Sequence, residues 1–202
     1  LTGEETQLTD HENDEINHFF SYNGNYLVFE SNRNGNWDIF LLNLVTGNEY
    51  QITDGEGDEI YPALSPNGQK IAFLSQVDGI WNVFVIGIDG QNQIQITDAD
   101  GHSFNHAWSP DSTRLAYQSD REGNMDIYSY DLRIDTEYRV TDNPGSDVGP
   151  TWDCGGTNLA FTTIIDENEP DIFRAYWKGG GFSFLTNHSA VDEWSEWSPA
   201  KE

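Results

Sequence analysis

Residues 52–98 read ITDGEGDEIYPALSPNGQKIAFLSQVDGIWNVFVIGIDGQNQIQITD, and they open and close on the same tripeptide. It recurs as Leu8-Thr9-Asp10, Ile52-Thr53-Asp54, Ile96-Thr97-Asp98, Val140-Thr141-Asp142 and Leu185-Thr186-Asn187, at spacings of 44, 44, 44 and 45 residues. The interiors keep the same register. Phe20, Leu64, Trp108, Trp152 and Trp197 share one repeat position. Leu27-Val28-Phe29, Ile71-Ala72-Phe73, Leu115-Ala116-Tyr117 and Leu159-Ala160-Phe161 share the next. Asp38-Ile39-Phe40, Asn82-Val83-Phe84, Asp126-Ile127-Tyr128 and Asp171-Ile172-Phe173 follow. A period of this length marks one supersecondary unit that buries its apolar faces against copies of itself.

Each unit holds four β-rich runs of about five residues, separated by turn residues. For the quoted stretch the predicted strands are Ile60–Ser65, Lys70–Ser75, Asn82–Ile88 and Gln93–Thr97. Pro66-Asn67-Gly68 and Asp89-Gly90 are predicted tight turns, and Gln76–Trp81 a looser loop. The second run is apolar on both faces, as a strand sandwiched between neighbouring sheets must be. No segment shows helical periodicity. Four strands repeating every ~40–45 residues predict an all-β fold, a β-propeller built of four-stranded antiparallel blades.

The predicted units are 11–54, 55–98, 99–142 and 143–187, with 1–10 as the outer strand of a preceding blade and 188–202 as the inner strand of a further one. Partial blades at both ends lead us to expect a single propeller array that is a segment of a longer chain. Pairing of the open ends with another copy is the alternative.

ALSPNGQKIAFLSQVDGIWNVFVIGIDG (63–90) and AWSPDSTRLAYQSDREGNMDIYSYDL (107–132) resemble the "WSPDG…IAF.S.R.G…IY" repeats of TolB-type propellers. The resemblance covers nearly the whole chain. It implies the propeller fold and little about function, because such repeats serve unrelated roles. Ser21-Tyr22-Asn23-Gly24 and Asp153-Cys154-Gly155-Gly156 depart from Ser-Pro-Asp-Gly but still read as hairpin turns.

Charge narrows the partners. The 202 residues carry 35 acidic and 9 basic side chains, a net charge of −26. Such a surface repels nucleic-acid phosphates and anionic membranes, and no apolar run is long enough to insert into one. The 13% aromatic content argues against disorder. Cys154 is the single cysteine, so no internal disulfide is available. Few lysines and abundant Asn and Gly suit an extracellular, cell-surface or periplasmic protein.

In a propeller, the link from one blade's outer strand to the next inner strand shares a face with the loop between strands two and three. The links 10–15 and 54–59 are the most acidic. Asp10, Glu12, Asp14, Glu15, Asp54, Glu56, Asp58 and Glu59 are therefore the candidate calcium ligands. Oxygens stand at positions 1, 3 and 5 of a loop begun at Asp54, but Glu59 replaces the required Gly and Ser65 the closing Glu, which excludes an EF-hand. Asp98, Asp100, Asp120, Glu122, Asp147, Asp166 and Glu167 extend the same rim as a candidate partner-binding surface. A merely solvated acidic face is the plain alternative.

Catalytic signals are absent. His102 and His106 would lie roughly 13 Å apart along a strand, too far to share a metal. His18 and His106 occupy the repeat position of Pro62 and Pro150, which makes them repeat variants. No G-x-S-x-G elbow exists. Trp37, Trp81, Trp194 and Trp197 read as blade packing before ligand stacking. The expectation is a non-catalytic binding or assembly module, presenting an acidic loop face to a protein partner, to cations, or to further copies of itself. The alternatives are the accessory propeller of a secreted, prolyl-oligopeptidase-like hydrolase and a self-assembling surface or filament subunit.

Overall fold

The computed structural model describes residues 5–98, 100–165 and 170–186. Its strands are β1 (Glu15–Phe20), β2 (Tyr26–Ser31), β3 (Asp38–Asn43), β4 (Glu49–Gln51), β5 (Glu59–Leu64), β6 (Lys70–Val77), β7 (Ile80–Gly87) and β8 (Ile94–Gln95). They continue as β9 (Ser103–Trp108), β10 (Arg114–Ser119), β11 (Asp126–Asp131), β12 (Thr136–Arg139), β13 (Ser146–Trp152), β14 (Asn158–Ile164), β15 (Asp171–Tyr176) and β16 (Ser183–Phe184). They form four antiparallel four-stranded meanders in chain order, and the sheets stack in sequence. Among the described residues the ring stays open. Residues 5–10 form no strand, and 188–202 lie outside the described residues.

Alternation along the middle strands glues the blades. Ile71 and Phe73 of β6 pack back onto Val28, Ile39 and Leu41 of the first blade. Ala72 and Leu74 of the same strand pack forward onto Leu115, Tyr117 and Tyr128 of the third. Ala116 and Ile127 then meet Leu159, Phe161 and Ala175 of the fourth. A strand buried on both faces has no polar side to spare, which is why these runs read as continuously apolar. Each blade carries a stacked cross-strand aromatic pair: Phe29–Phe40, Phe73–Phe84, Tyr117–Tyr128 and Phe161–Phe173, with ring centroids 5.6–6.3 Å apart.

The recurring tripeptide is now explained. Its Ile or Val enters the interblade core, as Ile52, Ile96 and Val140 do. Its Thr hydroxyl accepts a backbone N–H near the start of the third strand: Ile39 N–H to Thr53 (2.8 Å), Val83 to Thr97 (2.9 Å), Ile127 to Thr141 (2.8 Å) and Ile172 to Thr186 (3.0 Å). Its Asp stays exposed at Asp10, Asp54, Asp98 and Asp142. Ser-Pro-Asn-Gly and its variants close as predicted, with Gly24, Gly68, Ser112 and Gly156 donating back to Ser21, Ser65, Ser109 and Asp153 at 2.7–2.9 Å.

Three features differ from the reading of the sequence. The loop expected at Gln76–Trp81 is a two-residue turn, Asp78-Gly79, with φ of 52° and 82° and strands β6 and β7 paired down to Val77–Ile80. Positive φ at both central residues is the hairpin geometry that Asp-Gly favours. The outer strands span only 2–4 residues, because an exposed, polar edge holds few ladder bonds. Every inner strand also carries a bulge, centred on Asn17, Tyr61, Asn105 and Gly149, all at positive φ.

Candidate functional site

Side-chain amides knit the interblade links to the loops between strands two and three. Asn36 Nδ2 donates to the carbonyls of Gly55 (3.0 Å) and Gly57, and Asn124 Nδ2 to those of Asn143 (3.1 Å) and Gly145. Trp37 N–H reaches Asp58 Oδ1 at 3.0 Å, and His102 N–H reaches Asp120 Oδ1 at 2.7 Å. The links 54–59 and 142–147 are thus fastened to the loop between strands two and three of the preceding blade, and the link 98–103 to that loop of the blade it enters.

The acids of this face divide by where they point. Asp10, Glu12, Asp14, Asp54, Glu56, Asp58, Asp98, Asp100 and Glu122 are exposed, and Asp120 is half-buried. Glu15 is held by Arg33, which also pairs with Glu49 at 2.8 Å and lies 4.1 Å over the Phe40 ring. Arg121 repeats the device on Glu137 (2.8 Å) and the Tyr128 ring. Both arginines near this face are therefore occupied. Asp166 and Glu167 lie outside the described residues.

Asp147, read from sequence as partner-facing, is fully buried. It accepts from Thr163 Oγ1 and Asn143 Nδ2, both at 2.6 Å, and serves the junction between the third and fourth blades. Burial pushes its carboxyl up. Glu59 also leaves the surface cluster. It turns inward against Asp38, a buried acid that the sequence did not single out. Burial and then the Asp38 charge push Glu59 up to about 7, against hydrogen bonds from Thr53 and Ser75; burial raises Asp38 as well. The eight candidate calcium ligands are thus not brought around one point. Among the described residues, no three His, Cys, Asp or Glu side chains gather to hold a metal ion.

The inner strands line a cavity of about 320 Å³ beside His18, Pro62 and His106. Burial drives His106 down to about 4, so it sits there as a neutral ring. Glu30, an acid inside the apolar strand β2, is the other group sequence reasoning passed over. Its carboxylate accepts the N–H of bulge residue Tyr61 in the next blade, as Gln118 Oε1 accepts Gly149 N–H at 2.9 Å two blades on. A lone acid flanked by Leu27, Val28 and Phe29 was the available signal.

The family described as the TolB beta propeller domain matches residues 47–202. The chain belongs to that family. Similar solved structures share the fold at low identity. TolB from Acinetobacter baumannii is 19% identical with a TM-score of 0.71, over 92% of this chain and 47% of that one. A puromycin-hydrolyzing peptidase of Mycobacterium tuberculosis is 15% identical with a TM-score of 0.72, over 94% and 31%. The β-propeller domain of the Trilobed protease from Pyrococcus furiosus is 16% identical with a TM-score of 0.64, over 86% and 57%. This TolB-type propeller therefore spans about half the length of the A. baumannii protein. No curated protein sequence matches it. Among the described residues no helix is long and apolar enough to cross a membrane.

Proposed function

We propose that this TolB-type propeller is a non-catalytic binding module that works outside the cytoplasm and offers its acidic loop face to a basic segment of a protein partner. One observation carries the reading. Asp54, Glu56, Asp58, Asp98, Asp100 and Glu122 are exposed on links and loops of one face, while Arg33 and Arg121 near it are engaged by other acids. A single-signed field over a face attracts an oppositely charged partner and speeds its encounter.

A decalysine peptide tests this by fluorescence anisotropy. Asp54→Asn with Glu56→Gln should weaken binding severalfold, while Asp89→Asn with Asp135→Asn, on the opposite turns, should change it little. Equal losses from both pairs would reduce the effect to net charge and remove the proposed face.

The peptidase neighbours favour a second reading, an accessory propeller of a secreted hydrolase. The puromycin-hydrolyzing peptidase is matched over 31% of its own chain and a prolyl endopeptidase over 30%, which leaves most of each chain unmatched. Labelling of the native protein by a fluorophosphonate serine-hydrolase probe would support that reading, and no labelling would count against it.

A further inference from the structure

Three blade junctions place the same five repeat positions together, and only one buries two carboxylates with no cation beside them. Between the third and fourth blades the positions are Asp126, Asp147, Arg139, Thr141 and Thr163. There Arg139 Nη2 donates to Asp126 Oδ2 (2.6 Å) and Thr141 Oγ1 to Asp126 Oδ1 (3.2 Å), while Thr163 and Asn143 satisfy Asp147. Every carboxylate oxygen has a donor. Between the second and third blades the positions hold Asn82, Ser103, Gln95, Thr97 and Ser119, with no charge at all.

Between the first and second blades they hold Asp38, Glu59, Gln51, Thr53 and Ser75. Two carboxylates remain, but the arginine has become Gln51, which reaches Asp38 Oδ2 at 3.1 Å. The position of Asn143 has become Gly55, whose missing side chain leaves room for the longer Glu59; a methyl group there would collide with Glu59 Oε1. Ser75 Oγ donates to Glu59 Oε1 at 3.2 Å. Asp38 Oδ1 and Glu59 Oε2 are buried without a partner, on side chains 1% and 6% exposed. The two carboxyls are close enough for the charge on Asp38 to act on Glu59. Burying two adjacent carboxylates with a donor missing from each is costly unless a cation joins them.

We propose that the Asp38–Glu59 pair is a binding site for one hard divalent cation, calcium, which takes the place that Arg139 fills at the third junction. All-oxygen donors, two of them carboxylates and the rest hydroxyl, carbonyl or water, suit calcium over softer metals. The cation bridges the inner strand of the second blade to the third strand of the first, so its binding stabilises the fold. The site is independent of the partner face, because the exposed acids Asp54 and Glu56 are not ligands.

The test is thermal unfolding of the whole chain, after chelator treatment, with and without calcium chloride. At one hundred times its dissociation constant, calcium should raise the folded-to-unfolded ratio about 100-fold. Asp38→Asn with Glu59→Gln should abolish the response. Gln51→Arg should also abolish it, while raising stability in chelator by supplying the cation internally. Asp54→Asn with Glu56→Gln should leave the response intact. An unresponsive wild-type chain would overturn the proposal. So would a response that survives both junction changes, or one lost only on the exposed loop.

Discussion

Trp152 of the fourth blade donates its indole N–H to the Ala107 carbonyl of the third at 3.0 Å, and Trp108 does the same to Ala63 one blade earlier. The residues of each pair are 45 apart, so the contact steps from one repeat to the next. Trp152→Phe keeps most of the packing and leaves a half-buried carbonyl without this donor. The expected loss is about 0.5–1.5 kcal/mol of stability, read as a lower urea midpoint.

The Thr hydroxyl of the recurring tripeptide makes a second prediction. Thr141→Val leaves the buried N–H of Ile127 unsatisfied and takes a donor from Asp126. Its expected cost is about 1–3 kcal/mol by chemical denaturation. Thr97→Val should cost a similar amount, since Val83 and Asn82 lose the same two contacts.

His106 predicts acid sensitivity. Its folded value is lowered from 6.5 to about 4, so between those limits the unfolded chain binds the proton more readily. Its contribution to stability is therefore full above pH 6.5 and falls as pH drops toward 4. His106→Pro, copying Pro62 and Pro150, should flatten that part of the curve while preserving the fold. Melting temperatures from pH 4 to pH 7 for both chains check this.

Glu30 carries the opposite sign. Burial raises its carboxyl above the usual 4.5, so the folded state holds the proton more tightly and this contribution is lost as pH rises. Glu30→Gln keeps an acceptor for Tyr61 N–H, as Gln118 does for Gly149. The variant should gain stability over the parent at pH 8 and differ little at pH 4, as seen in parallel urea titrations.

The repeat made the architecture legible. A fixed distance between identical tripeptides sets the blade, and continuous apolar runs such as Ile71–Leu74 identify the strands buried on both faces. The inner-strand bulge was hidden because Asn17, Tyr61, Asn105 and Gly149 share a backbone conformation and no side-chain chemistry. The acids show the same limit. Asp58 and Glu59 are adjacent, yet one faces water and the other turns into the junction with Asp38. Period-two alternation at the start of β5 decides that, and a loop's composition does not reveal where its strand begins. Arg33 and Arg121 escaped notice because their partners, Glu49 and Glu137, sit sixteen residues away across the sheet.

Hydrogen exchange on the chain bound to a decalysine peptide tests the acidic face most directly. The account predicts added protection along the links 54–58 and 100–102 and the loop 120–124, with the opposite turns 66–69 and 89–92 unchanged. Protection confined to those opposite turns, or spread evenly over the surface, would contradict it.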